Sequence, residues 1–253
     1  MIIRRSQIDA LEAAMARAFV ASLVEHLQTF APELSRILGQ ERITKVVESG
    51  IERAQTYGLT NRGPVRFFIE LIFTLGNEFD SDPQLPWAAH ILRAPGIPDQ
   101  MLRADRLYRE TTAFMGEVGG LHNEHAIAAL KALAEQLRTS KLRIPPGDSS
   151  SGILNGFRAT YPQKYEFVGK AALEVLVDEA RQAALSYSWS SEQQVALCAG
   201  LMYAFGHGIF RDPVYPWAGA TLEDPSIPSP DDRSARLMNR TRAYVEGMLK
   251  NLG

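Results

Sequence analysis

The chain has 253 residues, 45% hydrophobic and 22% charged, with a formal net charge of -2. This length allows one large domain or two small ones, and the balance is that of an ordinary globular protein. A nucleic-acid binder is disfavoured, because neutralising phosphates requires clustered Lys and Arg and no basic stripe is visible.

From Ser6 to Phe30 apolar residues recur every three or four positions (Ile8, Leu11, Met15, Phe19, Leu23, Leu27), the stripe of an amphipathic helix that Pro32 should end. The basic pair Arg4-Arg5 is followed by Asp9, Glu12 and Arg17 rather than by an apolar run, so no signal peptide is expected. A second periodic segment spans Ile43 to Ala54 and closes at Tyr57-Gly58, where glycine suits a left-handed cap. A third starts near Asn61 to Pro64 and stays apolar almost all round to Leu75-Gly76, which marks a central helix. At Asp82-Pro83 a carboxylate precedes a proline, the pattern of a helix start, and a short helix through Trp87 to Leu92 should follow. The last helix of this half runs from Asp99 to about Met115, and a further one spans Glu124 to Leu137. Lys141 to Gly152, rich in Pro, Gly and Ser, reads as a linker.

The chain then repeats itself. Residues 21–118 laid over 151–248 give 22 identities in 98 ungapped pairs, at a constant offset of 130. Ordinary composition would give roughly one match in seventeen. The matches include Gly39 with Gly169, Tyr57 with Tyr187, Gly76 with Gly206, Asp82-Pro83 with Asp212-Pro213, and Pro86-Trp87-Ala88 with Pro216-Trp217-Ala218. The expected architecture is all-α, two similar helical repeats packed as one pseudo-symmetric body. Residues 1–118 form the first repeat, 119–150 a connecting helix and linker, and 151–253 the second. The helix at 124–137 is expected to serve the second repeat as residues 6–30 serve the first. The one cysteine, Cys198, lies in the apolar run Val195 to Phe205, so a buried thiol and a reducing compartment are expected.

Few residues suggest chemistry. Glu78, Asp80 and Asp82 offer oxygen ligands for a hard cation, but the second copy keeps only Asp212, which favours capping and loop bracing. His122 and His125 are three apart with no third ligand at metal-site spacing, and His207 replaces Asn77, which suits a structural role. Glu70 sits in Phe67-Phe68-Ile69-Glu70-Leu71-Ile72-Phe73 and must be paired, exposed on a narrow face or shifted in pKa, with Arg103 or Arg106 the expected partner. Trp87 and Trp217 are read as loop-bracing rather than as one aromatic pocket. No phosphate loop, nucleophile elbow or dinucleotide fingerprint occurs, and no cofactor or metal is expected. The interaction motif to examine is Asp82, Pro83, Pro86, Trp87 with Asp212, Pro213, Pro216, Trp217.

Gly50-Ile51-Glu52-Arg53-Ala54 with Tyr57-Gly58, then Leu75-Gly76, Phe79-Asp80, Asp82-Pro83 and Leu85-Pro86-Trp87-Ala88, resemble a family of small helical bacterial proteins. These proteins belong to type VI secretion and polymorphic-toxin gene clusters, near genes for spike (VgrG) or PAAR-repeat proteins. The resemblance covers about residues 1 to 115; Ser188 replaces the glycine after Tyr187 in the second half. It implies a cytoplasmic protein that handles a secreted toxin or the secretion spike; together with the absent catalytic constellation, the expected role is a non-enzymatic adaptor or chaperone whose partner is a secreted effector, spike or PAAR protein. Two rivals stay open: an immunity protein neutralising a toxin, and an enzyme using Glu70 or the acidic loop.

Overall fold

A computed structural model describes residues 4–139 and 149–251. Among these residues the chain is all-helical, with twelve α-helices and no strand. No helix among them is long and apolar enough to cross a membrane.

The first half contains α1 (Arg5–Phe30), α2 (Pro32–Thr56), α3 (Arg62–Leu75), α4 (Pro86–Arg93) and α5 (Gln100–Phe114). A π-helical turn, Met115–Gly119, leads to α6 (Glu124–Arg138). The second half contains α7 (Ser149–Thr160), α8 (Pro162–Val168), α9 (Lys170–Ser186), α10 (Glu192–Phe205), α11 (Pro216–Leu222) and α12 (Pro230–Asn251). Pro32 does more than end α1: it opens α2 at the first position, where its missing N–H is no loss. The backbone breaks at Gly39 (φ 73°, ψ 160°), and its counterpart Gly169 (φ 82°, ψ 151°) separates α8 from α9. One glycine-made joint therefore appears as a kink in one half and as a helix boundary in the other.

Two expectations are corrected here. The helix that stands in the second half where α1 stands in the first is α7, not α6. At the 130-residue offset, buried Leu23, Val24 and Leu27 of α1 correspond to buried Ile153, Leu154 and Phe157 of α7. In turn, α6 lays Leu133 and Leu137 against the second half and pairs with α12. Residues 149–152 of the expected linker are the first turn of α7; the rest of it, 141–148, lies outside the described residues. Composition misread them because Ser favours a helix start as readily as a loop.

Each half has its own core. The first gathers around α3 through Phe68, Ile69, Leu71 and Ile72, the second around α10 through Val195, Cys198, Leu201 and Met202. Cys198 is fully buried, and burial pushes its thiol up to about 12. The cores differ by compensated substitution. A Cβ on Gly50 would lie 3.0 Å from Ile69 and Ile72, whereas the corresponding buried residues are Ala180, Ala199 and Met202. Volume lost on one side is recovered on the other, as close packing demands.

The turn after α2 also exists twice. Gly58 has φ 66° and Ser188 has φ 60°, each followed by a fully buried residue, Leu59 or Trp189. A left-handed conformation costs a non-glycine residue roughly 1–2 kcal/mol, partly offset by the greater freedom glycine has when unfolded. Ser188→Gly is thus expected to stabilise the protein by about 0.5–1 kcal/mol, raising Tm by roughly 1–4 °C in a melting curve. A lowered Tm would show that the serine side chain earns its place.

Candidate functional site

The repeated loops meet each other. In both, the chain leaves the central helix at a glycine with φ near 100°, turns, and starts the next helix at proline. That helix begins at Pro86 and Pro216, not at Asp82-Pro83 as expected. Asp82 instead makes a tight turn, its Oδ1 accepting from Gln84 N at 2.8 Å while its carbonyl accepts from Leu85 N at 2.9 Å. Asp212 does the same with Val214 N at 2.8 Å and Tyr215 N at 3.0 Å.

The other carboxylate oxygens cross between the halves. Asp82 Oδ2 accepts from His207 N at 2.9 Å, and Asp212 Oδ2 accepts from Asn77 N at 2.9 Å. The residue two past each aspartate also crosses. Gln84 Nε2 donates to Met202 O at 3.0 Å, while Val214 is buried in the core of the first half. The glycines allow the close approach: a Cβ on Gly76 would lie 3.2 Å from Phe205 O, and one on Gly206 3.3 Å from Leu75 O.

The acidic residues each have separate work. Glu78 lies across Gly208, whose Cβ would sit 2.9 Å from the Glu78 carboxyl carbon, so only one of these corresponding positions holds a side chain. Burial opposes its charge, but Arg211 at 2.7 Å holds its pKa below the usual carboxylate range. Asp80 is fully buried between Arg53, at 2.7 Å, and the Tyr57 hydroxyl, which donates at 2.6 Å. In the second half Ala183 and Phe210 replace Arg53 and Asp80, and Tyr187 meets Phe210 edge-on at 5.9 Å. His207 Nδ1 is 3.0 Å from Glu179; burial works against its charge, yet Glu179 and the nearby Asp82 and Glu78 raise its pKa overall. Among the described residues, no three His, Cys, Asp or Glu converge as metal ligands.

Glu70 is not paired with Arg103 or Arg106. Its carboxylate contacts His26 Nε2 at 2.6 Å and Arg66 at 3.3 Å. Arg103 is engaged in donating to the Tyr57, Gly58 and Leu92 carbonyls, which ties the end of α4 to the turn after α2. Trp87 packs on the first core and Trp217 on the second, the latter 5.4 Å from the Tyr244 ring, so the two indoles form no shared pocket.

A feature absent from the sequence reading is a cavity of about 590 Å³ beside α10. Its walls are apolar: Phe114, Val118, Leu130, Leu133, Ile153 and Phe157. Its polar lining is grouped by hydrogen bonds, Lys164 with Tyr203 and Tyr161, and Gln84 with Asp82. Lys164 is buried, its Nζ donates to Tyr203 O and lies 5.0 Å from that residue's ring centroid, and burial lowers its pKa to about 8, against the attraction of Asp82. Gln84 Oε1 is buried with no hydrogen-bond partner. Gly200 faces the cavity where the first half carries Glu70, and a Cβ there would meet nothing within 4 Å. The signal in the sequence was the repeat itself: Lys164 replaces Leu34, and Gly200 replaces Glu70. A cation where the first half packs a partly buried leucine marks a site that packing alone does not require.

No protein-family model, curated protein or solved structure significantly matches this chain.

Proposed function

We propose that the two repeats form one pseudo-symmetric body acting as a non-enzymatic adaptor or chaperone for a type VI secretion effector or spike protein in the cytoplasm. The reciprocal Asp82 and Asp212 hydrogen bonds support the symmetric arrangement, and the resemblance of the first repeat supports the biological setting. The observation that carries the interaction reading is the outer half of α1. Ile8, Leu11 and Met15 are 44%, 61% and 51% exposed, yet they continue the stripe whose later members, Leu23 and Leu27, are core residues. An apolar helix face that runs past the end of its own core is what a protein partner covers, in the manner of helix and groove recognition.

The test is capture of partners by the tagged full-length chain in its own host, beside a Leu11→Asp, Met15→Asp double variant. Recovery of a spike or PAAR protein together with a toxin, lost in the variant at unchanged Tm, is the expected result. A toxin recovered alone would replace this reading by immunity. Equal recovery by both chains would remove α1 as the contact surface.

A further inference from the structure

The cavity beside α10 has the ingredients of a ligand site that the adaptor reading leaves unused. Its volume of about 590 Å³ falls within the range of small-molecule pockets, roughly 300–1,000 Å³. Such sites are apolar with a few convergent polar groups, and so is this one. The long walls come from α6, α7 and α10, and the polar end from α8 and the Asp82 turn. Exposed Met115, Asn155 and Ala159 among its lining residues show where it meets solvent.

Lys164 gives the polar end its sign. An ammonium has three donors, and among the described residues Nζ has a single hydrogen-bond acceptor, a neutral carbonyl. Buried charges are ordinarily paired with an opposite charge in direct contact. Among the described residues the one carboxylate lining the cavity, Asp82, is already engaged by His207 N, Gln84 N and Gln84 Nε2. The remaining lining offers hydroxyls and amides, among them Tyr161 and Tyr203, whose hydroxyls are held protonated by burial. The site therefore presents one incompletely used cation at the end of an apolar space.

We infer that this cavity binds a small amphipathic carboxylate, its apolar tail among α6, α7 and α10 and its headgroup on Lys164 Nζ. Burying the tail removes its methylenes from water, and the headgroup supplies the charge-assisted hydrogen bond that Lys164 lacks. Gly200 makes the room. In the first half Glu70 and its partner His26 occupy the corresponding place, so the duplication has left one half filled and the other open.

The experiment uses the full-length chain, calorimetric titration, and two probes of one tail length, dodecanoate and 1-dodecanol. Dodecanoate is expected to bind one to one. Lys164→Met, which exchanges a buried cation for an apolar chain of similar length, should fold at least as well and bind dodecanoate at least tenfold more weakly, with dodecanol affected less than threefold. Gly200→Leu projects into open space and leaves Lys164 intact; it should raise Tm and abolish binding of both probes. Failure of the wild-type chain to bind dodecanoate saturably overturns the inference. So does undiminished dodecanoate binding by Lys164→Met, or binding of either probe retained in a folded Gly200→Leu chain.

Discussion

Gly76→Ala is expected to destabilise the protein by about 3 kcal/mol, although it adds a single methyl group to an ordinary-looking loop. Two effects combine. At φ 103° and ψ 156° the residue occupies a region essentially closed to side chains, worth roughly 1–3 kcal/mol by itself. The new Cβ would also lie 3.2 Å from the Phe205 carbonyl oxygen, a backbone atom that cannot rotate away. Gly206→Ala should cost about as much, because its Cβ would lie 3.3 Å from Leu75 O at φ 100°. Gly63→Ala is the control, since Gly63 lies in a helix with nothing within 4 Å of its would-be Cβ; it should be neutral or slightly stabilising. Urea denaturation measures all three, and a loss below about 1 kcal/mol for Gly76→Ala would show that the loops separate easily.

Asp82→Ala and Asp212→Ala make the second large effect, and their costs should differ. Removing Asp82 orphans His207 N and Gln84 N and takes away the carboxylate nearest the buried Lys164 cation, a loss of roughly 3–4 kcal/mol. Removing Asp212 orphans Asn77 N and Val214 N, but it also deletes a charge that the fold carries at a cost. Burial raises the Asp212 pKa from 3.8 to about 6, against the two backbone hydrogen bonds. A rise of that size corresponds to roughly 3 kcal/mol of native-state cost once the group is ionised. The sign follows from proton binding. Between pH 3.8 and 6 the folded chain holds the proton that the unfolded chain releases, so this contribution weakens as pH rises through that window. At pH 7 Asp212→Ala should therefore cost only about 1 kcal/mol, and at pH 4 distinctly more. Equal losses for the two variants at pH 7 would refute the asymmetry. Its physical source is local: Lys164 stands near Asp82, while the corresponding position in the first half is Leu34.

Helix positions were written largely in the sequence. The apolar periods of Val65 to Leu75 and Val195 to Phe205 mark α3 and α10 as central, and Asp99 and Ser229 cap α5 and α12 where capping chemistry places them. Gly39, Gly58, Gly76 and Gly206 all adopt positive φ, the property for which a glycine at a helix end is informative. These features are legible because they depend on neighbours within about one turn of chain. The start of α4 was misplaced by one proline because Asp-Pro serves a turn as well as a helix cap: in both the carboxylate accepts from the N–H two residues on, and here the chain closes a turn at Leu85 and becomes helical only from Pro86.

The tertiary structure alone decided which groups meet across the repeat. Nothing local to Asp82 states that its free oxygen receives His207 N, and nothing local to Glu78 states that it lies over Gly208 beside Arg211. The charges of the acidic loop are individually satisfied by residues about 130 positions away or on α2, so the apparent cation site dissolves once the chain folds. Glu70 found its partner on α1, and Lys164, one more charge in a helical stripe, became the end of a cavity. Local sequence fixes φ, ψ and period, which specify helices and their ends. Burial, pairing and empty space are properties of surfaces brought together from distant positions, and here contacts between residues about 130 positions apart set them.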